Sequence, residues 1–311
     1  MSAPRIPGAA AREQHGVLGA SRWLIARRLT QLGFFAAFAT GPWIGLWITK
    51  GTLAASLTLD VLPLTDPLVA VQSLLARHIP ETSALIGVGI VLVAYLIVGG
   101  RTYCSWVCPI NPITDAATWT RRRLGLDMKP WRLSRDTRLY VLAAVLVAAA
   151  LTGTIAWELV NPITTLHRGL LFGLSWGALS ALAIFALDVL VAPNAWCGHL
   201  CPVGAFYGVL NTRAALRVSA SKRALCDDCM DCYAVCPEMH VISPALKGAR
   251  SGAGPLILSR DCTSCGRCID VCPERVFRFA FRTDDHLDIP DAPAKAGTDR
   301  KPAAVGNTKA A

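Results

Sequence analysis

The chain has 311 residues, 53% of them hydrophobic, and a net charge of +10 from 31 lysines and arginines against 21 acidic residues. That apolar share exceeds the roughly 45–50% of an ordinary soluble domain and directs attention to a membrane. The 12 cysteines all fall in regularly spaced motifs, which excludes a secreted disulfide scaffold, and the basic residues gather beside apolar runs, which argues against nucleic acid as a partner.

Residues 1–21 are rich in Ala, Gly and Pro without an apolar period and are expected to be a disordered N-terminus. The first apolar run starts behind Arg22, Arg27 and Arg28 and is too long for a cleaved signal peptide, so Arg27-Arg28 reads as a positive-inside anchor. Four stretches, 29–48, 83–100, 139–155 and 170–191, approach the ~20 residues needed to cross ~30 Å of hydrocarbon. Trp43, Trp47 and Trp157 sit at their ends, where an interfacial aromatic belt is expected. Arg101, Arg121, Arg122, Arg123, Lys129, Arg132, Arg135 and Arg138 fill the loop between the second and third stretches, which places both termini in the cytoplasm.

The apolar half repeats itself. Asp66-Pro67 precedes the second stretch and Cys104-Ser105-Trp106-Val107-Cys108-Pro109 follows it; Asn161-Pro162 precedes the fourth and Cys197-Gly198-His199-Leu200-Cys201-Pro202 follows it. Two parallel hairpin repeats would each deliver a C-x3-C-P pair to the same face. Cys104, Cys108, Cys197 and Cys201 are therefore candidates for a further redox or metal site. They could close one tetrahedral sulfur site, act as two dithiol pairs, or serve as small apolar thiols at a boundary.

Beyond a basic link, Cys226, Cys229, Cys232 and Cys236-Pro237 repeat the spacing of Cys262, Cys265, Cys268 and Cys272-Pro273. C-x2-C-x2-C-x3-C-P is the spacing of bacterial two-cluster ferredoxins, in which the fourth cysteine serves the other cluster. A zinc site or disulfide framework gives neither the third cysteine nor the Cys-Pro ending a role. The expected ligands are Cys226, Cys229, Cys232 and Cys272 for one [4Fe-4S] cluster, and Cys262, Cys265, Cys268 and Cys236 for the other.

These elements predict a membrane α-helical fold. Residues 22–216 form a four-span domain with both C-x3-C-P motifs, 217–282 a small cytoplasmic α+β two-cluster ferredoxin-like domain, and 283–311 a disordered tail. Quinol oxidation would need titratable groups near an apolar slot. Asp60, Asp66, His78, Glu158 and His167 lie on the expected outer side, with Glu158 and His167 foremost because they flank Asn161-Pro162. Asp188 lies inside an apolar run, and His199 sits between Cys197 and Cys201.

From Trp23 to Arg282 the chain resembles the NapH family, membrane ferredoxin-type proteins associated with periplasmic nitrate reductase. Gly100-Arg101-Thr102-Tyr103-Cys104-Ser105-Trp106-Val107-Cys108-Pro109 and Trp196-Cys197-Gly198-His199-Leu200-Cys201-Pro202 carry the resemblance, together with the two ferredoxin runs. It implies an electron-transfer component of a quinol dehydrogenase in the bacterial inner membrane. Such a component takes electrons from quinol and works with a second ferredoxin-like subunit toward periplasmic nitrate reductase. With every cysteine expected on the cytoplasmic face, quinone or a partner has to carry electrons across. The alternative is a maturation or protection factor driven by cytoplasmic reductant; the electron source discriminates the two.

Overall fold

The computed structural model describes residues 6–126, 134–173 and 176–284. Lys129 and Arg132 of the basic loop, and residues 285–311 of the expected tail, lie outside the described residues.

The chain opens with α1 (Ala9–Gly19) and α2 (Arg22–Ile44), followed by an antiparallel meander of β1 (Thr49–Gly51), β2 (Ala55–Thr58) and β3 (Leu62–Thr65). Next come α3 (Pro67–Leu75), α4 (Thr82–Val98), α5 (Thr102–Trp106) and α6 (Ile110–Arg123), then α7 (Thr137–Thr152), α8 (Ala156–Val160), α9 (Pro162–Phe172) and α10 (Trp176–Leu190). A π-helical turn over Trp196–Leu200 leads into α11 (Pro202–Asn211). The last part holds β4 (Leu216–Ser219), α12 (Asp231–Val235), α13 (Ile242–Lys247), α14 (Arg267–Asp270) and β5 (Arg278–Phe281).

The repeat read from the sequence is built into the backbone. Asp66 caps α3 by accepting from the Leu68 amide at 2.9 Å, with Pro67 in the first turn. Asn161 caps α9 in the same way, accepting from Ile163 at 3.0 Å, with Pro162 in the first turn. A side-chain acceptor followed by proline is a strong helix start, because it satisfies a free amide and sets φ in advance. The halves then interlock. α3 of the first half packs on α7 of the second, and α9 packs on α2; α6 packs on α10, and α11 on α4. Leu68, Tyr103, Ile110, Trp157, Ile163, Val203 and Tyr207 form their shared core.

Helices occupy the four expected spans, but among the described residues none is long and apolar enough to cross a membrane. The four-transmembrane-helix fold class is thereby corrected. α4, α7 and α10 have 17, 16 and 15 residues, short of the ~20 a crossing requires. Gly99 and Gly153 follow α4 and α7 with φ of +108° and +66°, where helical backbone cannot continue. α2 has 23 residues, but Arg22, Arg27 and Arg28 occupy its opening turns. The stretch expected to be an outer loop is largely the β1–β3 meander, against which α4 packs. These helices still turn large apolar side chains outward, including Leu29, Leu32 and Trp43 on α2, Ile86 and Val93 on α4, Leu151 on α7 and Leu182 on α10.

The N-terminal stretch also departs from expectation, since residues 9–19 are helical. The Gly8 amide donates to Asp231 at 2.9 Å, and His15 Nε2 lies 2.7 Å from the Pro273 carbonyl oxygen. Both partners are in the cysteine-rich module more than 200 residues away, so no local pattern announces the helix. β4 pairs with β5, and the Arg282 amide closes onto the Ala215 carbonyl at 2.7 Å.

Gly100 lies where the halves touch most closely. A Cβ there would sit on the Tyr207 carbonyl oxygen and 2.8 Å from the Asn211 amide, both in α11. Gly100→Ala is expected to force α11 away and cost about 1–3 kcal/mol, the usual penalty of overpacking. A lowered thermal midpoint of the full chain is the predicted reading; an unchanged midpoint contradicts the close crossing.

Candidate metal centres

Two adjoining cavities lie in the C-terminal module. Cys226, Cys229, Cys232 and Cys272 line one, with Val276 and Phe277. Cys236, Cys262, Cys265 and Cys268 line the other, with Val218, Val241 and Ile257. In both cavities the last cysteine of one run joins the first three of the other, because α12 packs against α14. The loops have one conformation in duplicate. Asp228 and Met230 flank Cys229 with φ of +58° and +64°, and Ser264 and Gly266 flank Cys265 with φ of +48° and +72°. Left-handed backbone is costly for residues other than glycine and tends to persist at functional sites. Here it coils each loop around its thiols.

The donor chemistry fits an iron–sulfur cluster better than a single metal ion. A mononuclear zinc site with Zn–S bonds of about 2.3 Å draws its sulfurs to within about 4 Å of each other. Among the described residues, the one set of three or more metal-binding side chains within 4.8 Å of one another is Glu238, His240 and Asp261, which contains no thiol. The surrounding charge also fits an anionic group. Arg27 is 1% exposed, its Nε and Nη1 lack hydrogen-bond partners, and the Cys265 thiol is among the groups acting on it. Arg217 is equally buried, leaves Nη1 unpartnered and feels Cys262. Burial, offset by Arg267, Arg27 and nearby amides, leaves the Cys265 pKa below its usual value. Around the first cavity, by contrast, stand Asp227 and Asp228, the latter paired with Lys247.

The two C-x3-C-P motifs have matching local structures. The Cys108 amide reaches back five residues to the Tyr103 carbonyl at 3.0 Å, and the Cys201 amide reaches Trp196 at 2.9 Å. Such wide turns are rare and recur at functional sites. Cys108 and Cys201 are buried, and Cys104 and Cys197 pack against the same core. Burial pushes the Cys201 thiol up to about 12, with Cys104 adding to the rise. Cys197 is raised well above its usual value by burial first and then by Cys201, Asp188, Cys108 and Cys104. The four thiols are thus brought to one place.

A buried ionic network, absent from the sequence reading, connects that place to the second cavity. Arg101 is 1% exposed and donates to the Asp261 carbonyl at 2.6 Å, to Glu238 at 3.2 Å and to the Cys197 carbonyl at 3.4 Å. Arg138, also buried, pairs with Asp261 and lies 3.5 Å from Glu238. His240 Nε2 is 2.9 Å from the other Asp261 oxygen. Since Arg101, Arg135 and Arg138 already occupy these carboxylates, the Glu238, His240 and Asp261 set reads as an ion-pair centre rather than a metal site. The available signal was adjacency: Glu238 follows Cys236-Pro237, Asp261 precedes Cys262, and Arg101 stands three residues before Cys104. Ser105 Oγ donates to Thr263 at 2.8 Å and Trp106 Nε1 to Ser264 at 3.1 Å, so the first C-x3-C-P motif rests on the Cys262–Cys265 loop.

The proton candidates take up separate roles. Glu158 accepts from Asn161 at 2.8 Å and supports the start of α9. His167 is buried edge-on against Phe38, with ring centroids 4.7 Å apart, and burial followed by Arg168 holds its pKa down to about 4. Asp188 is buried and accepts from the Trp196 amide at 3.0 Å, which fixes the turn that carries Cys197. Asp66 is held by Tyr207 Oη at 3.1 Å, and burial raises its pKa to about 6. Asp60 forms an exposed ion pair with Lys50 at 2.6 Å, and the His78 amide donates to Ser73 at 2.9 Å. His199 lies in the π-helical turn, its Nδ1 without a hydrogen-bond partner.

Comparison with known proteins sets this geometry among iron–sulfur carriers. Residues 81–127 and 172–219 both match the family described as a 4Fe-4S binding domain, and residues 225–276 match a 4Fe-4S dicluster domain. Iron–sulfur segments therefore extend over much of the chain, which corrects their expected confinement to a small C-terminal domain. The chain is 45% identical over 283 residues to the ferredoxin-type protein NapH of Haemophilus influenzae, an alignment covering 91% of this chain and 98% of the relative. It is 46% identical over 278 residues to NapH of Escherichia coli K12, covering 89% and 96%. It is 51% identical over 272 residues to the methylamine utilization ferredoxin-type protein MauN of Paracoccus denitrificans, covering 88% and 95%. No solved structure gives a significant match.

The Asp261 network makes a pH prediction. Burial alone would raise the Asp261 pKa, but the His240 hydrogen bond and the Arg138 and Arg101 charges outweigh it and hold the carboxyl below its usual range. A depressed folded value means that this stabilisation is full above the unfolded value of about 3.9 and is lost as pH falls through the lower folded value. Asp261→Asn should cost about 3 kcal/mol at neutral pH, because it leaves buried Arg138 with only the Glu238 carboxylate it shares with Arg101. The penalty, read by denaturant unfolding under argon, should persist from pH 7 down to 5, because Asp261 stays ionised across that window. A penalty that vanishes within that window contradicts the assignment.

Proposed function

The chain belongs to the family of ferredoxin-type electron-transfer proteins that includes NapH and MauN, and from that membership we propose that it binds two [4Fe-4S] clusters and passes electrons from quinol toward a periplasmic reductase. The two cavities, each lined by four cysteines, carry this reading. Cys226, Cys229, Cys232 and Cys272 would hold one cluster, and Cys236, Cys262, Cys265 and Cys268 the other.

Each cluster supplies one-electron transfer when bound. The protein's part is to space and shield the thiols and to set the surrounding charge. Val276 and Phe277 on one side, and Val218, Val241 and Ile257 on the other, limit water at the sulfurs. The Val276 amide donates to Cys272 Sγ at 3.4 Å. Arg27 and Arg217 favour added negative charge at the second cavity, where Arg267 is already paired with Asp115, whereas Asp227 opposes it at the first, where Asp228 is already paired with Lys247. The second centre should therefore have the higher potential.

The similarity to NapH supports nitrate reductase as the system served, and a second ferredoxin-like subunit is the partner proposed with it. The similarity to MauN is as strong and favours a second reading, in which the same electron transfer serves methylamine utilization. The outward apolar faces of α2, α4, α7 and α10 support association with the bacterial inner membrane, since contiguous apolar surface marks lipid or protein contact. Quinol dissolved in that membrane is the donor.

Low-temperature EPR of the chain purified without oxygen and mixed with lipid tests the donor. Reduced quinol is expected to give a cluster signal that dithionite then increases. A signal with dithionite alone rejects this subunit as the quinol-oxidising site and favours a cytoplasmic donor, as in the maturation-factor alternative. Cys226→Ser and Cys265→Ser should each remove or convert one cluster, and unchanged iron in both overturns the ligand assignment. Arg27→Gln should lower the midpoint potential of the second centre and leave the first in place; equal shifts in both contradict the charge asymmetry.

A further inference from the structure

α3 and α9 occupy corresponding places in the two repeats, and each buries one polar side chain five residues after its helix-starting proline: Gln72 after Pro67, His167 after Pro162. Gln72 is satisfied at both polar atoms. Its Oε1 accepts from the Trp157 amide at 3.0 Å, and its Nε2 donates to the Leu68 carbonyl at 3.3 Å. His167 is 3% exposed, and neither of its ring nitrogens has a hydrogen-bond partner among the described residues. A buried polar group left without a partner is costly, and each one calls for an explanation. The first repeat serves as the internal control: the same position can be satisfied from within the fold, and in α9 it is not.

The surroundings of the imidazole restrict what could satisfy it. Burial, followed by Arg168, keeps the ring neutral at neutral pH, so it offers one N–H donor and one bare nitrogen acceptor. Phe38 of α2 stands edge-on to it, and Phe35, Leu53 and Leu171 join Phe38 in one apolar cluster. One turn beyond His167, the Leu171 carbonyl accepts from Trp43 Nε1 at 3.4 Å. Trp43 in turn packs on Phe35, with ring centroids 5.7 Å apart, and is 61% exposed. The way in from the protein surface between α2 and α9 is therefore aromatic. A cation would be repelled by Arg168, and an anion would have to give up its water for aromatic walls. Among the described residues no thiol, carboxylate or second histidine joins His167 in a metal-binding set.

We propose that His167 is the hydrogen-bonding residue of a quinone headgroup site between α2 and α9, walled by Phe35, Phe38 and Trp43. A quinone is flat, uncharged and soluble in lipid, which matches an aromatic entrance on an outward apolar face. Its carbonyl oxygen accepts from the imidazole N–H, and the hydroxyl of the quinol form donates to the bare nitrogen, so one neutral ring holds both redox forms. Phe38, 6% exposed and against the imidazole, is the side chain that the headgroup displaces. The inference rests on the quinol reading above and gives that donor a place in the fold.

The test titrates the full chain, purified without oxygen and held in lipid nanodiscs, with a short-chain ubiquinone and a short-chain menaquinone, binding being read from quenched tryptophan fluorescence. Saturable binding is expected for the wild-type chain. His167→Leu should weaken it about tenfold, the worth of one hydrogen bond whose partner is left unpaired. His167→Gln keeps a donor and an acceptor and should stay within about threefold of wild type. Without quinone, His167→Leu should also raise the thermal midpoint, because it removes an unsatisfied polar group; a purely structural histidine would give a lower midpoint and unchanged affinity. Full affinity in His167→Leu overturns the site and leaves the quinol reading standing, whereas no saturable binding by the wild-type chain defeats both. On wild-type protein a photoreactive azidoquinone should label peptides within residues 34–47 or 162–172. Labelling confined to other segments rejects the site even if neither variant accumulates.

Discussion

Arg101 is the contact on which the arrangement of redox elements depends. Its guanidinium is cut off from water and reaches three chain segments: the Cys197 turn, the Glu238 carboxylate and the Asp261 carbonyl. A buried charge is tolerated only where partners surround it, and these partners come from the second helical repeat and from the cysteine-rich module, whereas Arg101 itself belongs to the first repeat. Arg138 reinforces the same carboxylates from the start of α7. The apolar half and the ferredoxin-like half are consequently one packed body around this network, rather than two domains on a linker.

Duplication explains the helical half. A single copy, with its capped entry helix, apolar helix and C-x3-C-P turn, would leave the face of α6 or α11 without a partner; two copies cover each other. Gly100 permits the closest approach, and Asn211 in α11 extends it by donating to the Cys262 carbonyl at 2.9 Å. The repeat thereby also sets the loop of the second cavity. Differences between the copies mark specialisation: Arg101 stands where the second copy has Asn194, and Tyr103 where it has Trp196.

The cysteine spacing was the most legible part of the sequence, since C-x2-C-x2-C-x3-C-P specifies both which sulfurs gather and how the runs cross. The repeat was legible as well, because Asp66-Pro67 and Asn161-Pro162 are local helix starts. Span length was not. Apolar composition continues through Gly99 and Gly153, and only backbone conformation shows that the helices stop there. The β1–β3 meander was hidden because its short strands alternate weakly. The Arg101 network was hidden for another reason, since charges near a motif look like solvated surface until long-range packing buries them. α1 belongs with that group, as its anchors lie at the far end of the chain.

The α1 attachment bears on how the chain is made. Gly8 and His15 leave the ribosome long before Asp231 and Pro273, so α1 must wait for residues made more than 200 positions later before it can dock. Contacts of such sequence separation form late, after the loop-closure entropy has been met. Because Asp231 follows Cys229 by two residues and Pro273 follows Cys272, docking of α1 becomes a latch over finished cysteine loops. Until residues 231–273 have emerged those loops cannot be covered, so the N-terminal helix closes over them only after they have formed.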